Sequence, residues 1–294
     1  MASTTDSTLD ALLSLLDDRD ELVYNSVKDK LLSMGPAILP KLEEALFAAG
    51  SAEYMNKIEE IISRIKREIQ VEKMRRWISD ENRTMLEGWY LISSIHHPGI
   101  SKEKMEQGIL KIYQDIWLEI SDSMTSLEKI AVINHILFRI SGFELTSIDV
   151  PRIENIVIDN LLFSKRGDVF SLTMLYLILA RSIHLDLLPI ILANKLLLVY
   201  EDKLATSLAY GSSSDKYLFY INVAHRGSII SPKEVQFLYD KSQKYGKGVT
   251  GIETDISLVS KLLKFMSIIY REEGDPQRIQ LTDDFLGLIN GMEK

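Results

Sequence analysis

Apolar positions in the first third of the chain recur at helical spacing. Leu9, Leu12, Leu13 and Leu16 form one stripe, and Val23, Val27, Leu31 and Met34 form a second. Gly35 reads as the residue closing that second helix, and Pro36 as the opening of the next, which carries Ile38, Leu39, Leu42 and Leu46. Ile58, Ile61, Ile62, Ile65 and Ile69 predict a longer helix running towards Trp77.

Three later helix starts have the spacing of a capping box: Thr84–Glu87, Thr125–Glu128 and Ser231–Glu234, the last with Pro232 at the first helical position. In such a box a hydroxyl and a carboxylate satisfy backbone amides that the helix leaves free. Helices are expected near Thr84–Ile95, Lys102–Ile120 and Ser126–Ser141, and a buried helix over Phe170–His184. Beyond it, Leu187–Ala193, Leu196–Glu201 and Tyr217–Asn222 are short and β-rich, with turn chemistry at Tyr210–Asp215. Strands joined by short turns imply an antiparallel sheet packed on helices, so the fold class is α+β and predominantly helical. Leu258, Leu262, Phe265 and Ile269 mark a C-terminal helix. Gly274, Asp275 and Pro276 then supply a closing glycine, an N-cap and a first-turn proline, the punctuation of a helical hairpin.

Composition adds mainly exclusions. The 294 residues are 46% hydrophobic and 26% charged, as expected of a soluble globular chain with a sizeable core. A formal charge of −8 argues against a general phosphate-binding surface, so no nucleic-acid partner is expected. The basic cluster Lys73, Arg75 and Arg76 reads as a solvated helix end. The chain has no cysteine, which removes disulfides, thiolate–zinc sites and thiol catalysis together and fits the cytoplasm. MASTTDSTLD lacks the basic start and apolar run of a signal peptide. The most apolar stretch, Ile183–Tyr200, is interrupted by Asp186, Pro189, Asn194 and Lys195. It predicts two buried strands and a turn, with no membrane span.

The strings TSLEKIAVINHILFRISGF, NIVIDNLLFSKRGDVFSLTMLYLILARSIHL, LLLVY and FYINVAHRGSIIS resemble the SirB family of transglutaminase-like proteins. The most specific part is the spacing from Asn155 through Arg166–Gly167 to Ser171–Leu172, followed by a long apolar helix. The resemblance implies a cysteine-protease-like core. It also implies a HEAT-like N-terminal segment, matched by GPAILPKLEEAL, and a tetratricopeptide-like tail, matched by SIIYREEGDPQR. The expected organisation is a HEAT-like segment over 1–80, the core over 81–245 and the helical hairpin over 246–294.

A transglutaminase-like site needs a thiolate at a helix start, a histidine on a neighbouring strand, and a carboxylate on the next strand to orient it. Carried over by resemblance, these positions are Val169, Lys195 and Asn222. Valine offers no nucleophile, a lysine cation has no lone pair to take a proton, and asparagine carries no charge. SirB-like members often place proline at the cysteine position, so the loss can belong to the branch. Ser171 and His225 are the candidate substitutes. Ser171 lies about 200° around the helix from the old nucleophile position, so a capping or packing role is expected. His225 reads as a solvated loop histidine, and Asp168 as the cap of the following helix.

The remaining histidines suggest no metal set. His96–His97 precede Pro98 in an expected loop, and His135 is expected buried and hydrogen-bonded. No cofactor motif is present, and the glycine-rich Gly246–Gly251 reads as a flexible loop. The resulting expectation is a non-catalytic transglutaminase-like protein that serves as an interaction or regulatory module for protein partners. The alternative is a non-thiol hydrolase or acyltransferase using the same cleft through Ser171, Lys195 or His225.

Overall fold

Helix α1 spans Ala2–Leu15 and α2 spans Glu21–Met34. Asp20 opens α2 by accepting the Leu22 amide, and Gly35 closes it at a φ of 67°. Pro36 does not begin the next helix as expected. Residues Gly35–Ile38 form a 3-10 turn, and α3 starts at Leu39 and runs to Ala48. The reason is Pro40: in a helix begun at Pro36 it would fall inside, where its ring and missing N–H break the ladder. Starting at Leu39 places it in the tolerated first turn.

The structure is a computed structural model that describes residues 2–18, 20–146, 152–192, 194–201, 217–243 and 249–292. It divides into two compact units, Met1–Arg76 and Trp77–Lys294. The first is all helical. Helix α4, Ala52–Ser79, supplies Ile58, Ile61, Ile62 and Ile65 to a core with Leu9, Leu13, Leu16, Val27, Leu31, Ile38 and Leu42. The Tyr54 hydroxyl donates to the Leu13 carbonyl at 3.0 Å, tying α4 to α1. Arg75 and Arg76 both pair with Glu72 on the surface of α4.

The second unit begins with α5 (Met85–His96), α6 (Lys102–Glu119) and α7 (Ser126–Asn134). Thr84 accepts the Glu87 amide, but the Glu87 carboxylate turns to Lys102 and does not complete the box. Thr125–Glu128 forms both halves. The helix expected to continue to Ser141 changes at His135 into a π-turn, His135–Ile140. Its wider winding lets three consecutive residues, Ile136, Leu137 and Phe138, all be buried. His135 itself is exposed, contrary to expectation, and the polar contact belongs to its neighbour Asn134.

Strand β1 (Glu144–Leu145) pairs in parallel with β2 (Arg166–Gly167), across α8 (Ile158–Ser164). Helix α9, Val169–Ser182, follows, with Leu172, Leu175, Tyr176 and Leu179 buried. Then β3 (Leu187–Leu192), β4 (Lys195–Glu201), β5 (Tyr217–Asn222), β6 (Ser228–Ile230) and β7 (Val249–Ile252) form one antiparallel sheet in the order β6-β5-β4-β3-β7. Helix α10, Pro232–Gln243, starts at the complete Ser231–Glu234 box. The expected turn at Tyr210–Asp215 lies outside the described residues. So does Gly246–Lys247–Gly248, while the remainder of that glycine-rich run is the start of β7 on the edge of β3, not a loop.

Both sheet faces are apolar, as in a sheet layered between helices. Ile190, Leu192, Leu197, Val199 and Tyr220 cluster with Val235 of α10 on one face. Alternation turns Leu196, Leu198 and Ile221 to the other, where α9 packs against β3 and β4. Helices α11 (Asp255–Glu273) and α12 (Pro276–Met292) close the chain as a hairpin, with Gly274 at a φ of 71° and Asp275 accepting the Arg278 amide. Leu258, Leu262 and Ile269 are buried as expected, but Phe265 is half-exposed and meets Phe170. The unit is α+β and mostly helical. Among the described residues, no helix is long and apolar enough to cross a membrane.

Candidate functional site

The start of α9 is built around the carbonyl of Asn155. That oxygen accepts the Asp168 amide at 3.0 Å and the Ser171 hydroxyl at 2.8 Å, so two groups from the helix start converge on one acceptor. Asp168 is the N-cap, and its Oδ1 accepts the Ser171 amide at 2.7 Å. Ser171 is fully buried and has the Asp168 carbonyl as a second acceptor at 3.1 Å. Gly167 must lack a side chain here. A Cβ would stand 2.6 Å from Cδ1 of Leu161 and 2.7 Å from Oγ of Ser171. Arg166 pairs with Glu144 at 2.9 Å across the β1–β2 ladder. The whole Asn155–Arg166–Gly167–Ser171 spacing is thus used to seat α9.

Helix α5 braces this knot from behind. Trp89 Nε1 donates to the Ile156 carbonyl at 2.8 Å, and Ser93 Oγ accepts the Ile158 amide at 3.1 Å. Asp168 keeps some surface open as a residue, yet protein encloses its carboxyl group. That burial pushes its pKa from the usual carboxylate range up to about 6, against the lowering effect of the Ser171 and Phe170 amides. It caps the helix, as expected.

Val169 is the first residue of α9 and is partly buried. It stands where the dipole and free amides of a helix start would activate a nucleophile, and it carries only methyl groups. Ser171, in its place in the knot, directs its hydroxyl proton to a backbone carbonyl. Lys195 is the exposed first residue of β4, and Asn222 is the buried last residue of β5. The β4–β5 register, with Leu198 opposite Ile221, sets Asn222 beside Leu197, two residues from Lys195. These two positions therefore lie near each other at one end of the ladder. Alternation gives both the parity of Leu197, Val199 and Tyr220, on the α10 face. No hydrogen bond or ion pair joins either to Val169.

The Asn222 amide group makes no hydrogen bond to a described residue, although its backbone carbonyl accepts Gly227 N–H at 3.0 Å. His225 lies in the 3-10 turn Val223–His225 and is exposed. The turn is held instead by Asn134, whose Nδ2 donates to the Gly227 carbonyl at 2.9 Å. Asn134 is the polar residue that sequence reasoning undervalued; the INHILF string drew attention to its neighbour His135.

The other histidines are polar, but not as a metal set: among the described residues, no group of three or more His, Asp or Glu is placed to hold an ion. His97 Nδ1 is 2.5 Å from Asp159 Oδ2, a pairing 62 residues apart that local spacing does not signal. His96 is the last residue of α5 and not part of a loop.

No curated protein and no solved structure matches the chain. The family model described as the transglutaminase-like superfamily matches residues 103–260, more than half of the sequence, from the start of α6 into the first turns of α11. The chain belongs to the transglutaminase-like superfamily.

Proposed function

We propose that this chain is a non-catalytic transglutaminase-like protein of the SirB-like branch, working in the cytoplasm as a protein-interaction or regulatory module. The observation that carries this reading is the consumption of the motif's polar groups at the start of α9. The Ser171 hydroxyl and Asp168 amide hold the Asn155 carbonyl, and the position open to a nucleophile is Val169. Lys195 and Asn222 add neither a base nor an orienting charge. The absence of cysteine is compatible with a reducing compartment.

The HEAT-like reading of 1–80 is supported by the paired helices of the first unit and their Gly35–Pro36 junction. The tetratricopeptide-like reading of 246–294 is supported by the α11–α12 hairpin and its Gly274 turn. Helical pairs of this kind present surfaces to protein partners, and the chain's acidity disfavours nucleic acid as one.

The direct test is proximity cross-linking of the full chain in its native cell, followed by identification of cross-linked proteins. A reproducible partner whose recovery is unaffected by Ser171→Ala or Lys195→Ala supports an interaction role. Recovery of no partner, together with turnover of an acyl substrate, overturns it in favour of a non-thiol hydrolase or acyltransferase.

A further inference from the structure

Outside the α9 site, four elements of the second unit bring a titratable cluster together. The His96 ring, at the end of α5, lies with its centroid 4.5 Å from that of His97 and stacks against Tyr270 of α11 at 6.3 Å, with the planes 20° apart. The Arg278 guanidinium, in the first turn of α12, stands 5.4 Å from the Tyr270 ring centroid and donates to the His96 carbonyl at 3.4 Å. Arg278 also pairs with Asp275, the N-cap of α12, at 3.4 Å. On the far side His97 pairs with Asp159 of α8.

Three polar atoms within this chain of contacts are buried with no hydrogen-bond partner among the described residues: Nδ1 of His96, Oδ1 of Asp159 and the hydroxyl of Tyr270. Buried unpaired groups weaken the joint that contains them. Besides the packing of both hairpin helices on α5, the α11–α12 turn meets the end of α5 through aromatic stacking and one long hydrogen bond, at a place where polar groups go unsatisfied.

We propose that this cluster is an acid-sensitive latch that holds the α11–α12 turn on the end of α5 at neutral pH and lets it open as the pH falls through the ordinary histidine range. His96 is the group that trips it. On its own helix it faces His97, from α11 Tyr270, and from α12 Arg278. Glu154, from the turn before α8, and Asp159 also act on it. Burial first, then His97 and Arg278, disfavour its protonation, while Glu154 and Asp159 only partly oppose them; the net effect holds its pKa below the usual histidine value.

The sign follows from linkage. A base with a depressed folded pKa is protonated more readily once exposed, so stability is complete above the unfolded pKa of about 6.5 and falls as the pH drops through it. In the closed joint, a protonated His96 would stand beside Arg278 and His97, and opening relieves that repulsion. Opening would uncover the side of α12 that carries Leu281, Phe285 and Ile289, an apolar surface shown only in acid.

Hydrogen exchange of the full chain at pH 7.5 and 5.5, corrected for the intrinsic rate, tests the latch. One proton taken up on opening predicts that protection in the first turns of α12 falls by up to about tenfold, and that it does not fall in α9. His96→Asn should abolish the fall. Should that variant not fold, the imidazole titration of His96 in the wild-type protein decides alone. Unchanged protection in α12, an equal fall in His96→Asn, or a His96 titrating at or above the free value would overturn the proposal.

Discussion

Tyr176 donates its buried hydroxyl to Oδ1 of Asn134 at 3.0 Å, joining the middle of α9 to the end of α7. The same Asn134 donates from Nδ2 to the Gly227 carbonyl at 2.9 Å, so one amide clamps both helices to the turn after β5. Burial alone drives the Tyr176 pKa far up, and the hydroxyl remains a donor at all ordinary pH. Gly227 sits at a φ of 72°, and a Cβ there would stand 1.8 Å from Oδ1 of Asn134. The clamp thus needs both the positive φ and the missing side chain. Asn134→Ala is expected to cost about 1–3 kcal/mol by stranding the Tyr176 hydroxyl and the Gly227 carbonyl. Gly227→Ala should destabilise as well, and the double variant should lose less than the sum. Urea unfolding of the four proteins gives the coupling, and strict additivity would remove the clamp.

Asp168 predicts an unusual pH dependence. Its folded pKa of about 6 lies above the ordinary aspartate value of 3.8, so the folded state holds its proton more tightly. Below pH 3.8 both states are protonated and the handicap is gone, and above pH 6 it is complete. Between pH 7.5 and 5.0 this group alone should add stability on the order of 1 kcal/mol, since a shift of one pKa unit is worth roughly that much. Asp168→Asn keeps an acceptor for the Ser171 amide without the buried charge. Its stability relative to wild type should be highest at pH 7.5 and decline towards pH 5.0, as measured by urea midpoints. A gap that widens in acid would contradict the assignment.

Gly167 should tolerate nothing larger than hydrogen. Gly167→Ala brings a methyl group within 2.6 Å of Leu161 and 2.7 Å of the Ser171 hydroxyl, in a buried turn. The expected loss is about 1–3 kcal/mol, the usual cost of overpacking a core. Ser171→Ala alone removes one donor from a carbonyl that keeps the Asp168 amide, so its cost should be smaller, about 1 kcal/mol. If Ser171→Ala proves the more damaging change, the hydroxyl does more than seat the helix.

Gly88 faces Trp77, whose ring would lie 2.3 Å from an added Cβ. Trp77 is buried and donates from Nε1 to the Thr84 carbonyl at 2.8 Å. Gly88→Ala should displace the indole and shift the intrinsic fluorescence to the red. An unshifted spectrum would mean that the ring yields without leaving its site.

Helix boundaries were legible at several places where punctuation was local, though Pro36 and the Thr84–Glu87 spacing misled. Thr125–Glu128, Ser231–Glu234 and Gly274–Asp275–Pro276 announce their own caps, because the groups they satisfy lie within four residues. The β3–β4 hairpin was visible for the same reason. What stayed hidden depends on distant partners. The β1–β2 pair is two residues long and joins positions 22 apart, with no apolar pattern of its own. Strand β7 forms only because β3 offers an edge, in a run whose glycines read as a loop. The Asn134 clamp and the His97–Asp159 pair bring together residues dozens of positions apart. The spacing from Asn155 to Ser171 was recognisable as a motif, but its use as a structural knot emerges only when both ends meet at one carbonyl.

Intact mass after treatment of the full chain with a serine-directed fluorophosphonate and an activated acyl donor tests the non-catalytic reading most directly. A buried Ser171 whose proton is held by the Asn155 carbonyl predicts no phosphonyl adduct and no acyl turnover beyond the uncatalysed reaction with surface amines. A stoichiometric adduct on Ser171, lost in Ser171→Ala together with measurable turnover, would contradict it.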